Sequence, residues 1–495
     1  MPENLTQYFA ELVRAEGWSD RAAFLTEDRV WTFAEVFDGA ARVANGYRAA
    51  GLSRGDRVLL ALPDSMEMIW CLLGAWQAGI VAVPVNVQMS QQDLTRDVET
   101  AEPTLIVVDP ETACWLDTAG LAPTAGVEPL AAAEPDSKFA DGGDAPALAV
   151  FTSGTTGVPK LCFFLHRNFL DQRVGTGAAG PDTVGLSVSR MYFFGGLSAS
   201  VLTTLSTGQT AVLSRPRATP AAAIELMRRH QVTNLFAQPS FLARLLLEPG
   251  HAEVLGRLRL VTCAGEVLSA RMREHLVPII GDRLINGYGA TEIGGIAVGQ
   301  PAAYEVASAV GPAFDGRPVR IVDAEGDALP TGQRGELRIR VPFATRGVAR
   351  GSLGPDQLTD TWWRTGDLAS IDENDVVHVH GRLDDVEVIG GQNVVPGEVE
   401  RLLESHPRVL EAAVSAVRRP AGDTSLRAYT VVTPGSGGDT DDGNGALGAE
   451  LVDLARAHLS WYKVPQDVVW LDALPRNGNG KILRRKLRSD GDQFV

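Results

Sequence analysis

With 495 residues and 45% hydrophobic content, the chain is an enzyme-sized globular protein able to bury a large core in two or more domains. Its net charge of −16 argues against nucleic acid or an anionic membrane as the main partner. The four cysteines, Cys71, Cys114, Cys162 and Cys263, form no C-x-x-C pair, so neither a disulfide framework nor a zinc site is suggested.

Glu3, Glu11 and Glu16 stand among the first apolar residues, which excludes a signal peptide and makes residence in the cytoplasm the expectation. The apolar stretch from Val58 to Val85 is interrupted by Asp64, Ser65 and Glu67, predicting a buried helix over Ser65 to Gln77 rather than a membrane span. Strand-like runs at 57–62, 80–85 and 104–109 flank such helical patterns, the order of an α/β fold with mainly parallel sheet. Ala131 to Ala145 reads as a loop leading into a strand at Leu148 to Phe151. The alternation resumes with helices at 221–230 and 240–247 and strands at 232–237 and 258–263. From about Val306 the texture changes to short strands and turns, predicting a β-rich subdomain. A small α+β tail follows Gly381 to Asp385, and within it the Gly/Asp-rich stretch Pro434 to Gly448 reads as a solvated loop. His378 and His380 alternate along a strand with no third metal ligand in view.

Three segments carry chemistry. In the first, Thr152, Ser153, Gly154, Thr155, Thr156 and Gly157 lead to Lys160, leaving a strand end as phosphate-binding loops do. Glycines admit backbone N–H groups to an anion, hydroxyls add donors, and the lysine supplies a mobile charge. The spacing is not that of a Walker loop, and alone the segment reads equally well as a polar turn. The choice of lysine has weight, because only five of the 45 basic residues are lysines: Lys138, Lys160, Lys463, Lys481 and Lys486. In the second segment, Asn286 to Gly295, glycines bracket Tyr288, Thr291 and Glu292: a ring for a base, a hydroxyl for a phosphate and a hard oxygen for Mg²⁺. In the third, Asp367 follows the turn glycine Gly366 and could accept both ribose hydroxyls.

Together with Gly381 to Asp385, Gly390 to Glu400 and Asn477 to Lys481, in this order, these runs resemble the adenylate-forming superfamily of acyl-CoA synthetases, adenylation domains and luciferases. The match spans nearly the whole chain. Met191 to Gly196 and Thr262 to Glu266 look most like benzoate and other aryl-CoA ligases. The resemblance implies a large multi-subdomain α/β body over residues 1–382, a hinge at 383–385 centred on Asp384, and a mobile α+β lid over 386–495. It implies ATP, Mg²⁺ and coenzyme A as cofactors. Ser153 to Lys160 would clamp the β- and γ-phosphates, Glu292 would hold Mg²⁺ and Thr291 would touch the α-phosphate. Asp367 and Arg382 would hold the ribose, Tyr288 would flank the adenine, and Gly265, Glu266 and Gly289 are further cofactor-binding candidates. Lys481 would be the catalytic cation that joins carboxylate to α-phosphate, and Gly391 would line the pantetheine path. Phe193, Phe194, Gly195, Gly196, Gln238, Pro239, Ser240, Ala264, Gly265, Gly289 and Ile293 are the acid-pocket candidates.

Departures from the family pattern refine this. Phe193 replaces a histidine common in the superfamily, which favours an aryl or apolar acid, and no Asp lies between Met191 and Ser200 to meet an amino-acid ammonium. Leu161 stands where glycine is usual, and Glu387 and Ile389 alter the strand beside the hinge. The expected activity is conversion of a small-molecule carboxylic acid to an acyl-adenylate, then to a coenzyme A thioester. A carrier-protein or amine acceptor is the alternative, a degenerate nucleotide-binding homologue is a further one, and the oligomeric state stays open with a homodimer as one option.

Overall fold

The computed structural model describes residues 3–114, 120–152, 160–170, 179–266, 268, 270–301, 309–314, 317–340, 358–359, 362–389, 392–418, 424–433, 441–476 and 482–489. Its first sheet orders the strands Thr124–Gly126, Leu105–Val108, Arg57–Ala61, Val81–Pro84, Pro146–Thr152 and Lys160–Leu165. The first five run parallel and the last returns antiparallel at the edge. Parallel strands need both faces covered, and Leu105–Val108 and Val81–Pro84 are buried at every residue, which is why they read as unbroken apolar runs. The stretch 58–85 resolves into strand, helix Met66–Ala78 and strand. Ser65 caps that helix by accepting from the Met68 N–H, and Gly79 ends it in the left-handed region at φ 75°. Gly74 lets it approach helix Phe33–Ala49, since a Cβ there would stand 2.9 Å from the Ala40 carbonyl. No helix among the described residues is long and apolar enough to cross a membrane.

The second sheet has six parallel strands, Leu284–Ala290, Leu260–Ala264, Asn234–Ala237, Val184–Ser187, Thr210–Val212 and Ala22–Leu25, with an antiparallel strand at each edge, Gly295–Pro301 and Val30–Thr32. The β-rich subdomain expected after Val306 is an antiparallel sheet of Ala309–Gly311, Val377–Arg382, Trp362–Ile371, Gly335–Arg340 and Val319–Val322 around Ile321, Leu337, Ile339 and Trp363.

The C-terminal unit opens with the hairpin Glu387–Ile389 and Gln392–Val394 and packs helices Pro396–Glu404 and Asp441–His458 on the sheet Val409–Arg418, Thr424–Val432 and Asp467–Trp470. One expectation fails here. Residues 441–448, read as solvated loop, begin an 18-residue helix, while 434–440 lie outside the described residues. Leu447, Leu451 and Ala455 share its buried face, and that packing outweighs the roughly 1 kcal/mol per residue by which glycine disfavours a helix.

Candidate active site

Two hairpins at sheet edges carry the nucleotide motifs. In the first, Thr152 and Lys160 are register partners where Pro146–Thr152 turns back into Lys160–Leu165. Ser153, Gly154, Thr155, Thr156 and Gly157 lie outside the described residues, as do Gly391 and Lys481, and only the backbone of Thr152 and Lys160 is described. The second hairpin pairs Leu284–Ala290 with Gly295–Pro301 around the single turn Thr291–Ile293. Gly294 at φ +71° and Gly295 at φ +113° make that turn, and a Cβ on Gly289 would stand 2.1 Å from the Gly295 carbonyl. Thr291 and Glu292 sit half-buried at the tip. Arg317, buried behind it, donates Nη1 to the Ile293 carbonyl.

An aromatic knot joins the hairpins. The rings of Phe164, on the first hairpin, and Phe194 stack at 4.7 Å, and Phe169 lies 6.3 Å from Phe194. A side chain on Gly294 would come 3.7 Å from Phe164, and one on Gly295 would come 3.5 Å from Phe194. The hairpin ending at Lys160, the segment at Phe194 and the Glu292 turn therefore share one packing centre.

The third motif forms a clasp. Asp367 accepts from the Tyr288 hydroxyl and, at 3.3 Å, from Arg382 Nη1, while its own N–H donates to Thr365 Oγ1 at 2.9 Å. Arg382 also donates to the Thr365 carbonyl at 2.8 Å and to Asp384 at 3.3 Å, so the ribose candidates and the hinge candidate are in direct contact. Gly366 at φ +70° makes room, because a Cβ there would meet Arg382 Nη2 at 2.9 Å. Burial raises the Tyr288 hydroxyl well above the ordinary phenol range, with the Asp367 charge adding to it. For Arg382, burial works against the charge, but Asp367 and Asp384 outweigh it and raise the guanidinium's pKa.

The segment of acid-pocket candidates is pinned from below. Phe193 precedes the helix Phe194–Leu197, which continues through the π-helical turn Ser198–Leu202 into Thr203–Thr207. Such turns occur often at functional sites. Asp64 accepts from the Met191 N–H at 3.1 Å and stands 3.4 Å from Arg190 Nε, and Arg190 donates to the carbonyls of Ser214 at 2.7 Å and Arg215 at 2.8 Å. Burial pushes the Asp64 carboxyl up to about 6 against the pull of Arg190. Sequence reasoning missed both residues, having read Asp64 only as a break in an apolar stretch.

A cavity of about 390 Å³ opens between the body and the C-terminal unit, with Phe193, Gln238, Ser240 and Glu266 on one side and Glu411 and Arg476 on the other. Pro239, Gly289 and Gly265 are absent from its wall, as are Phe194, Gly195, Gly196, Ala264 and Ile293. Phe194 belongs to the knot and Ile293 to the core of the β-rich subdomain. A Cβ on Gly196 would collide with the Arg190 carbonyl at 2.2 Å, and one on Gly195 would meet the Phe236 ring at 3.1 Å. Gly265 turns the chain at φ +93° out of Leu260–Ala264.

Among the described residues no group of three or more His, Cys, Asp or Glu could hold a metal ion. His380 bonds Ser370 Oγ at 2.9 Å and His378 bonds Asp372 at 2.9 Å, so both rings have structural partners. A carboxylate such as that of Glu292 has the donor chemistry of Mg²⁺, which keeps waters and takes one or two carboxylates beside substrate phosphates. Cys71, Cys162 and Cys263 are buried and Cys114 is exposed, and none of the four is in a disulfide.

Known proteins resemble this chain in sequence and fold. The p-hydroxybenzoic acid–AMP ligase FadD22 of Mycobacterium tuberculosis is 35% identical over 98% of the chain and 68% of its own length. The 3-hydroxybenzoate–CoA ligase of an Aromatoleum species is 31% identical over 96% of the chain and 94% of its own length. The crystal structure of a benzoate CoA ligase from Burkholderia xenovorans superposes with a TM-score of 0.87 at 26% identity, covering 98% of this chain and all of that one. The AMP-binding enzyme model matches residues 13–351 and the AMP-binding enzyme C-terminal domain model matches 398–481. With both family models matched and the Asp367 clasp beside the Glu292 turn, the chain belongs to the AMP-binding enzyme family and is an AMP-forming ligase.

Proposed function

We propose that the protein activates an aryl carboxylic acid with ATP, releasing pyrophosphate, and transfers the acyl group from the adenylate to coenzyme A. The observation that carries the reading is the clasp of Asp367 between Tyr288 and Arg382, beside the hairpin whose tip presents Glu292. A carboxylate is a poor electrophile at neutral pH, and AMP supplies the leaving group it lacks. As the acid attacks the α-phosphorus, charge accumulates on the oxygens shared with departing pyrophosphate. Mg²⁺ bound at Glu292 would neutralise part of that charge. Lys160 and the loop before it would take the pyrophosphate end, Thr291 the α-phosphate, and Asp367 the ribose hydroxyls. Lys481 would bring two anions into line, where positioning lowers the barrier most. The body would extend through 382 and the C-terminal unit would move about residues 383–385.

Half-buried Phe193 and Tyr192, whose rings lie 4.2 Å apart, give the cavity an aromatic wall, which supports an aryl acid. The test is acid-dependent ATP–pyrophosphate exchange over a panel of benzoates, hydroxybenzoates, alkanoates and amino acids, then product mass with and without coenzyme A. Exchange with benzoates and a coenzyme A thioester are the expected results; exchange confined to alkanoates or amino acids would refute the aryl assignment. A second acceptor is favoured by one relative, the fatty acid–[acyl-carrier-protein] ligase ScoC of Streptomyces coeruleorubidus, 30% identical over 94% of the chain and 92% of its own length. A phosphopantetheinylated carrier protein therefore belongs in the same assay as a competing acceptor.

A further inference from the structure

Two arginines cross from one parallel sheet of the body to the other. Arg190 follows the strand Val184–Ser187 and Asp64 follows Arg57–Ala61, so their pair joins the carboxyl ends of strands in different sheets, the side on which α/β sheets bind ligands. Each side chain is only 11% exposed, and Leu62, Met66 and Met191, beside them in the chain, are buried. The Arg190 fork also reaches the Ser214 and Pro216 carbonyls with Nη1, at 2.7 and 3.2 Å, and the Arg215 carbonyl with Nη2. Arg215 in turn bonds Asp109, beyond Leu105–Val108, and stands 3.6 Å from Glu67. Between these anchors the chain is tight. The Met191 N–H donates to Asp64, the Phe193 N–H to the Arg190 carbonyl at 3.0 Å, and the Leu197 N–H to the Phe193 carbonyl at 2.9 Å. The side chains then diverge: Arg190 turns to Asp64, Met191 is fully buried, Tyr192 and Phe193 line the cavity, and Phe194 enters the aromatic knot.

We propose that Asp64 is a positioning residue for acid recognition: by holding the Met191 N–H and the Arg190 guanidinium together it fixes the turn that presents Tyr192 and Phe193 to the acid, and nucleotide binding does not depend on it. The inference rests on the proposed reading of the cavity as the site of an aryl acid. Stability alone does not account for the pair, since a buried ion pair is often no better than well-packed apolar side chains of the same volume. What the charges add is direction. One carboxylate that bonds a backbone N–H and the side chain of the preceding residue admits a single register of that backbone, whereas an apolar contact would let the turn rotate. The nucleotide candidates are held by other contacts: Asp367 by Tyr288 and Arg382, and the Glu292 turn by Gly294, Gly295 and Arg317. Those contacts do not pass through Asp64 or Arg190, so loss of the pair should separate acid recognition from ATP recognition.

The full chain tests this by pyrophosphate exchange over the benzoate panel, with KM for acid and KM for ATP measured separately. Asp64→Asn keeps an acceptor for the Met191 N–H and takes the counter-charge from Arg190. It is expected to raise KM for the best benzoate about tenfold, equivalent to 1.4 kcal/mol, and to change the order of preferred acids, with KM for ATP within about twofold of wild type. Arg190→Gln strands the Asp64 carboxylate and is expected to do more harm, and adding Asp64→Asn to it should recover part of the loss, because the unpaired buried charge is gone. Arg190→Lys keeps the charge without the planar fork, gives the same split at smaller size, and carries the test if Asp64→Asn does not fold. Equal rises in both KM values, a fall in kcat with the acid order unchanged, or losses that multiply in the double variant would overturn the proposal. Hydrogen exchange supplies a readout without turnover: Asp64→Asn and Arg190→Lys should both speed exchange over residues 188–197 and leave the 284–301 hairpin as in wild type. Unchanged exchange over 188–197 would equally overturn it. If the wild type accepts only alkanoates or amino acids, the aryl reading fails, and the KM split for the accepted acid, with hydrogen exchange, still decides the role of Asp64.

Discussion

His166 shows how one side chain can be read only from its surroundings. Its Nδ1 accepts from the Leu5 N–H at 3.0 Å in a fully buried site, and a proton placed there would face another donor. Burial, with the Arg54 charge adding, lowers its pKa to about 4; burial likewise lowers His380 to about 4, with Arg334 and Arg401 adding. Both rings are neutral in the fold while an unfolded chain titrates near 6.5, so the unfolded state binds more protons between these values. Their stabilisation is therefore complete above about pH 6.5 and is lost as pH falls through about 4, on the order of 3 kcal/mol for His166 and less for the partly hydrated His380. Thermal melts across this range should show His166→Gln lowering Tm at neutral pH yet flattening the acid-side decline; an unaltered slope would contradict the assignment. Neither this role nor that of Asp64 was legible in the sequence. Asp64 meets Met191 across 127 positions, and its neighbours in the chain say nothing of it. The clasp was better signposted, because Asp367, Arg382 and Tyr288 each sit in a glycine-bounded motif whose turn dictates where the side chain goes.

At the scale of elements, two adjacent phenylalanines separate packing from pocket. Phe193 faces the cavity, whereas Phe194 joins the Phe164 and Phe169 stack. Phe194→Ala should cost about 3–5 kcal/mol by leaving a hole where two hairpins meet, seen as a large fall in Tm. Phe193→Ala should leave Tm within a few degrees and alter the order of preferred acids in the exchange assay. If both variants destabilise alike, the division is wrong. Periodicity could not make this distinction, since both residues are aromatic and consecutive. It did identify the parallel strands, whose two buried faces give continuous apolar runs, and it failed at 441–448, where glycines and aspartates mask a buried Leu447 face. The Asn477 to Lys481 segment was legible by motif alone, and the ion pairs of Arg476 and Arg484 on either side of it in the chain were not, because their partners are Glu266, Glu400, Glu411 and Asp385.

For the whole molecule, the division of labour between body and C-terminal unit makes a sharp forecast. Lys481→Ala should nearly abolish ATP-dependent product, by about a hundredfold or more if it supplies the electrostatic positioning of two anions. Conversion of a supplied acyl-adenylate to thioester should persist, because a thiolate attacking an activated carbonyl asks only for access. Equal loss in the two assays would place Lys481 in the scaffold instead.

The placement of the nucleotide hairpins has a consequence for folding. Each is the last, antiparallel strand pair of a different sheet, and among the described residues Phe164, Phe194 and the Gly294 turn pack between them. On the proposed assignment of Lys160 and Glu292, no single sheet supplies the whole ATP site. Nucleotide affinity is then a gauge of how firmly the two sheets are docked, and ATP binding stabilises that docking by RT ln(1 + [L]/Kd), drawing two separately built halves of the body into one cooperative unit.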